Sequence, residues 1–125
     1  MKKPSRRITT HKLDIVFSKY VRTMANFKCQ YYGETKDRTE LHHGIAHRRY
    51  LNTWFEPDNC VVLCSACHWL FSDFPRINND FFVKRIGSER VEQIEIMARS
   101  GKKVSLETLE ELYEKYSKGL KSLEK

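Results

Sequence analysis

Two short extended stretches separated by a long loop, the second running straight into Cys64-x-x-Cys67-His68, set the tightest limit on what this chain can fold into. Thr39-Glu-Leu-His-His43 is the length of one strand, and the β-branched, apolar Cys60-Val-Val-Leu63 reads as a second. Residues 44–58 between them form a loop rich in His, Arg and aromatic side chains, of a length that usually marks function. Cys64 to Phe71 then begins a helix that must end before Pro75. Such a hairpin-plus-helix unit brings His42, His43, Asn59 and His68 together from distant positions.

Those residue types suit one chemistry. Metal-assisted phosphodiester hydrolysis needs a divalent cation held by few ligands, and a separate base to deprotonate the attacking water. Neighbouring strand side chains point to opposite faces, so His42 and His43 are not expected to share one ion. One suits metal binding beside His68, and the other suits the base across the phosphate.

The pattern Leu41-His42-His43, Asn59, Leu63-Cys64-x-x-Cys67-His68 resembles that of the HNH (ββα-metal) nucleases. The resemblance implies that His42 and His68 ligate the metal, His43 activates water and Asn59 orients it. A looser likeness joins Leu13-Asp14, Phe17-Ser-Lys-Tyr-Val-Arg22, Cys29 and Phe82-Val-Lys-Arg-Ile-Gly-Ser-Glu-Arg-Val-Glu92. Together these look like the phage NinG/Rap recombination nucleases, which implies a part in processing branched DNA or Holliday junctions. The implied products carry 5′-phosphate and 3′-hydroxyl ends. Two imidazole ligands lean toward Mn²⁺, Ni²⁺, Co²⁺ or Zn²⁺, although phosphate and water can restore the oxygen-rich shell that Mg²⁺ wants.

The resemblance also raises a structural zinc, since many such proteins pair two Cys-x-x-Cys knuckles. Here Cys64 and Cys67 are kept, but the other knuckle reads Cys29-Gln-Tyr-Tyr32, so one thiolate is missing. Three thiolates match the usual four-ligand site poorly. Cys60, a distant His or a water could complete it, or packing by Tyr31 or Tyr32 could hold the knuckle instead. Alternation along its strand makes Cys60 a core-facing thiol.

Charge points to the partner. Of the net +7, residues 1–22 supply seven Lys/Arg against one Asp, so the basic excess is an arm and a first helix. DNA, possibly branched, is the expected partner, because Lys and Arg on phosphates release counterions. Lys12, Lys19 and Arg22 on that helix, with Arg48 and Arg49 in the loop, are the candidate phosphate contacts. His47 could touch metal or phosphate, while Trp54 and Phe55 should anchor the loop in the core. With no window near 18 apolar residues and no signal-peptide core, no membrane partner is expected. A cytoplasmic chain is expected, in the host-cell cytoplasm if phage-encoded, with its four Cys as thiols or ligands.

The expected fold class is α+β and mostly helical: a small ββα core with an N-terminal helix and C-terminal helices. Residues 1–8 read as a flexible basic lead, 9–75 as the first helix plus the core, and 76–125 as a helical extension of the same domain. Thr9 or Thr10 is the expected cap of the first helix, with Leu13, Val16, Phe17, Tyr20 and Met24 on its apolar face. Asn79 and Ser88 are expected to cap two short helices, the second burying Val91, Ile94, Met97 and Ala98. Ser105 caps the last, with Val104 and Leu109 as a hydrophobic staple. Its stripe of Leu109, Leu112, Tyr113, Tyr116, Leu120 and Leu123 suits core packing or a homodimer. A competing reading is a non-catalytic, zinc-stabilised nucleic-acid-binding module, which has no need of His43 and Asn59 beside its metal.

Overall fold

The computed structural model of the chain describes residues 5–33, 38–47 and 50–124. It is α+β and mostly helical, with α1 Arg6–Met24, β1 Thr39–His43, α2 Leu51–Trp54, β2 Cys60–Cys64, α3 Ser65–Asp73, α4 Pro75–Ile86, α5 Ser88–Arg99 and α6 Leu106–Leu123. The two strands pair antiparallel with His43 opposite Cys60, His42 opposite Val61 and Thr39 opposite Cys64.

Every residue of β2 is buried, because helices cover both faces of this ribbon. On one face Val61 and Leu63 pack with Phe71 of α3 and Phe82 of α4. On the other, Cys60 joins Leu13 and Phe17 of α1, Phe55, and Leu109 and Tyr116 of α6. Burying a side chain such as Phe17 contributes roughly 1.5–3 kcal/mol, so a thin two-stranded ribbon gains its stability from the helices that sandwich it.

Helix α1 starts earlier than its sequence suggests. Ser5 is the cap, its hydroxyl accepting from the Ile8 amide at 3.1 Å. Thr10 instead donates back to the Arg6 carbonyl at 2.8 Å, as mid-helix threonines do. Residues 5–8 are therefore cap and first turn rather than flexible lead, while 1–4 lie outside the described residues. Leu13 and Phe17 are buried as expected, but Met24, in the last turn, is exposed.

The helices after the ribbon also differ at their starts. Pro75 both ends α3 and opens α4 at a position where its missing N–H costs nothing, so Asn79 lies inside a helix and caps none. Gly87, at φ 90°, takes the cap position of α5, and Ser88 is the first helical residue. Val91, Ile94 and Ala98 are buried on α5, whereas Met97 is exposed. At α6 the Ser105 hydroxyl accepts from the Thr108 amide at 3.1 Å, and Val104 and Leu109 pack in one cluster. The α6 stripe is spent within the chain against α1, with Leu109, Tyr116 and Leu120 buried and Tyr113 and Leu123 left exposed. Among the described residues no helix is long and apolar enough to cross a membrane.

Candidate functional site

Among its described residues the connection between the strands is more than a plain loop. It holds the short helix α2 and a 3-10 turn, Pro57–Asn59. Asn59 organises it: its amide oxygen accepts from the backbone of Ile45 at 3.0 Å and Ala46 at 2.7 Å. Its amide nitrogen donates to the carbonyls of Ala46 and Thr53. Asn59 is fully buried, so all of this side chain's hydrogen bonding goes into holding the loop against the ribbon. Buried polar groups left unpaired cost about 1–3 kcal/mol each, so few other residues could sit there.

The strand pleat splits the two histidines as expected. His42 packs toward Phe71 and Phe82, its ring centroid 5.8 and 6.5 Å from theirs. His68, from the first turns of α3, stands 5.1 Å from His42 between ring centroids. That separation suits two imidazoles on one ion at bond lengths of roughly 2.0–2.1 Å. Both rings open on a cleft of about 750 Å³, which His43, His47, Ser72 and Asn78 also line. Burial lowers the pKa of His42, a hydrogen bond to Asn78 partly offsets this, and the neighbouring His68 and His47 lower it further. The neutral form, the one that can ligate a metal, is thereby favoured.

Each candidate ligand has a polar partner. Glu40, two residues before His42 and so on the same side of β1, places Oε1 2.8 Å from Nδ1 of His68. Asn78 of α4 places Oδ1 2.7 Å from Nε2 of His42, while its Nδ2 donates to the Gly44 carbonyl at 2.9 Å. Neither partner belongs to the pattern read from the sequence. Glu40 could have been found from its spacing to His42, but Asn78 carries no local signal.

His43 lies on the other face and stacks flat on Trp54, with centroids 3.4 Å apart and planes 3° from parallel. The Trp54 indole N–H donates to Asp14 of α1 at 2.8 Å, which fixes the ring that in turn fixes His43. Phe55 is buried and Trp54 half-buried, so the pair anchors the loop while Trp54 also forms a wall of the site. A second, smaller cleft of about 370 Å³ opens here, lined by His43, Trp54, Asp14 and Arg22. His43 thus borders both clefts.

No family model, curated protein or solved structure matches the chain.

The candidate phosphate contacts separate. Arg22 lines the cleft beside His43. Lys12 is exposed, and Lys19 is drawn toward the end of α6 by Glu124 at 3.6 Å. Arg48 and Arg49 lie outside the described residues. His47 is exposed on the rim of the larger cleft.

The thiols converge at the far end of the ribbon. The sulfurs of Cys29, Cys64 and Cys67 lie within 4.8 Å of one another, all buried, and could hold a metal ion. The knuckle carrying Cys29 is fastened to β2 by Gln30, whose N–H donates to the Val62 carbonyl at 2.7 Å and whose side chain accepts from the Val62 amide at 2.8 Å. Gly33, at φ 74°, closes it with a bond to the Cys29 carbonyl. Burial opposes a charged Cys29, yet hydrogen bonds from the backbone of Cys64, Tyr32 and Tyr31 and from the Cys67 thiol outweigh it and lower its pKa. Cys67 is pushed up to about 12, first by burial and then by the two neighbouring thiols. Backbone donors directed at the Cys29 sulfur favour its charged form, the form in which a cysteine ligates a soft metal. Cys60 is buried in the other cluster and takes no part, and Tyr32 is exposed where a fourth thiolate would be sought.

Proposed function

We propose that this protein is a metal-dependent DNA endonuclease of the HNH type. The observation that carries the reading is the division of labour across β1: His42 faces His68 in one cleft, and His43 stands on the opposite face, stacked and oriented at the border of a second. A purely structural metal site needs no such separate, oriented imidazole. A divalent cation held by His42 and His68 would supply Lewis-acid stabilisation of the phosphate and of the leaving oxygen. Mn²⁺, Mg²⁺, Ni²⁺ or Zn²⁺ could serve.

His43 takes a proton from water as its oxygen attacks phosphorus, the bond to the 3′ oxygen breaks, and that oxygen takes a proton from a solvent water. Trp54 holds the His43 plane, and Asn59 keeps the loop that carries Trp54 in register. Arg22 pairs with a backbone phosphate beside the base, and the basic excess of the first 22 residues supplies the rest of the sequence-independent attraction. A basic arm that contacts phosphates positions DNA without reading its bases, so shape is the better guide to substrate, and branched DNA of recombination is the preferred class. Symmetric resolution of a four-way junction would require two copies of the chain.

The thiol cluster supports a second assignment within the same protein, a structural zinc on Cys29, Cys64 and Cys67 completed by a non-protein ligand. If that site were the only metal centre, the protein would be a nucleic-acid-binding module instead. The discriminating experiment compares cleavage of end-labelled four-way junction, splayed-arm and plain duplex DNA with Mg²⁺, Mn²⁺ or EDTA, by the wild type and His43→Ala. Metal-dependent cutting that falls by about 10²- to 10⁴-fold in the variant is expected. Tight, salt-sensitive binding without cutting in any metal would instead select the binding module.

A further inference from the structure

The hydrogen bonds around the larger cleft determine more than the presence of two imidazoles; they determine which nitrogen of each is open. The Gly44 carbonyl can only accept, so the Asn78 group 2.9 Å from it must be the amide nitrogen. The Asn78 oxygen is therefore the atom 2.7 Å from Nε2 of His42. An amide oxygen has no proton to give, so that Nε2 carries the hydrogen. At His68 an ionised Glu40 carboxylate, 2.8 Å from Nδ1, likewise only accepts, and Nδ1 carries the hydrogen there. In the neutral rings this leaves Nδ1 of His42 and Nε2 of His68 as the lone-pair nitrogens.

We propose that Asn78 is a positioning residue of the metal centre: with Glu40 it locks the two histidines in opposite tautomers, so that His42 ligates through Nδ1 and His68 through Nε2. The inference rests on the reading of this cleft as a metal site and deepens it by assigning ligand atoms. Helix α4 thereby becomes part of the centre, although it follows the hairpin-plus-helix unit in the chain. Gly44 is what lets α4 come so close, since a Cβ there would lie 2.7 Å from the Asn78 oxygen and would collide with the Phe82 ring. Partners of this kind matter to affinity because they pre-set the ring plane and raise the basicity of the ligating nitrogen.

The test is made on the full chain, labelled with ¹⁵N-histidine, without metal and without DNA. Long-range ¹H–¹⁵N correlation spectra at pH 8 report which nitrogen of each ring is protonated. In the wild type His42 should show the Nε2–H form and His68 the Nδ1–H form. Asn78→Ala should leave His68 unchanged, release His42 into a mixture, and weaken Mn²⁺ or Co²⁺ binding in calorimetry by about 10- to 100-fold. Glu40→Gln is the reciprocal variant, expected to loosen only His68. An Nδ1–H form of His42 in the wild type overturns the proposal without any variant needing to fold. So does an Asn78→Ala protein with unchanged tautomers and affinity, or a wild type that binds neither ion. Cleavage of DNA is not read, so a tautomer result against the proposal beside metal-dependent cutting leaves the nuclease reading intact. The expected tautomers and metal affinity in a protein that cuts nothing would spare the proposal and remove the nuclease.

Discussion

The two ends of one short ribbon hold two contrasting groups of donor atoms. At the Cys64 end three sulfurs are buried and tied to β2 by backbone hydrogen bonds of the Cys29 knuckle. At the His43 end the donors are imidazoles, only partly buried, and they open on clefts large enough for a substrate group. The difference bears on exchange: buried soft ligands favour a retained ion, whereas two half-buried imidazoles on a cleft would leave positions for water and phosphate. The same contrast shows in the partners. Hydrogen bonds to the Cys29 sulfur come mostly from the backbone, while side chains of α2, β1 and α4, namely Trp54, Glu40 and Asn78, hold the imidazoles and can be changed by mutation.

The widest contrast should come from removing one ligand at each end. Cys67→Ser is expected to release bound zinc and lower the melting temperature by on the order of 10 °C or more, since metal affinity at such a site is folding energy. His68→Ala should retain that zinc, melt within a few degrees of wild type and lose cleavage. Metal content by elemental analysis beside a thermal melt would check both, and equal melting losses would erase the distinction between the two ends.

A smaller effect separates the faces of β1. Trp54→Ala removes the stack on His43 and the bond to Asp14. The turnover number should fall by about 10-fold or more through misorientation of the base, with Mn²⁺ affinity at His42 and His68 unchanged. Trp54→Phe, which keeps a ring over His43, should recover much of the loss in single-turnover cleavage. A drop in metal affinity equal to the drop in rate would mean that the two faces are not independent.

The smallest effect is on stability with pH. Burial holds the pKa of His42 below its ordinary value in the fold. Between the folded value and the unfolded value of about 6.5, the unfolded chain binds a proton that the folded chain declines. Stability from this residue is thus fully present above the unfolded value and is lost as pH falls through the folded one. In EDTA, urea unfolding at pH 7.5 and 5.5 should show a larger acid loss for wild type than for His42→Gln; an identical loss would place the imidazole in ordinary solvent. The thiol end is the same in both proteins and so cancels from this difference.

Much of this arrangement was legible in the chain. Period-two alternation put His42 and His43 on opposite faces, and the two strands with their following helix stand where the β-branched run and Cys64-x-x-Cys67 imply, within a residue or two. The cap of α6 and its staple follow from Ser105, Val104 and Leu109 because both are contacts within one turn. The caps of α1, α4 and α5 fall elsewhere than propensity suggests, because several residues near each start can cap a helix: Ser5 caps α1 in place of Thr9 or Thr10, Pro75 opens α4, and Gly87 stands before α5.

The sequence by itself determined the residue types of both candidate centres and the side of the strand on which each stands, since those depend on covalent spacing and the pleat. The tertiary structure alone decided who holds them: Trp54 against His43, Asp14 against Trp54, Asn78 against His42, and Lys19 drawn away toward Glu124. Those pairs join positions 11, 40, 36 and 105 residues apart. Hydrogen bonds and ring contacts act over a few ångströms in space, and at such separations along the chain only the packing of α1, α4 and α6 on the ribbon can bring the partners within that range.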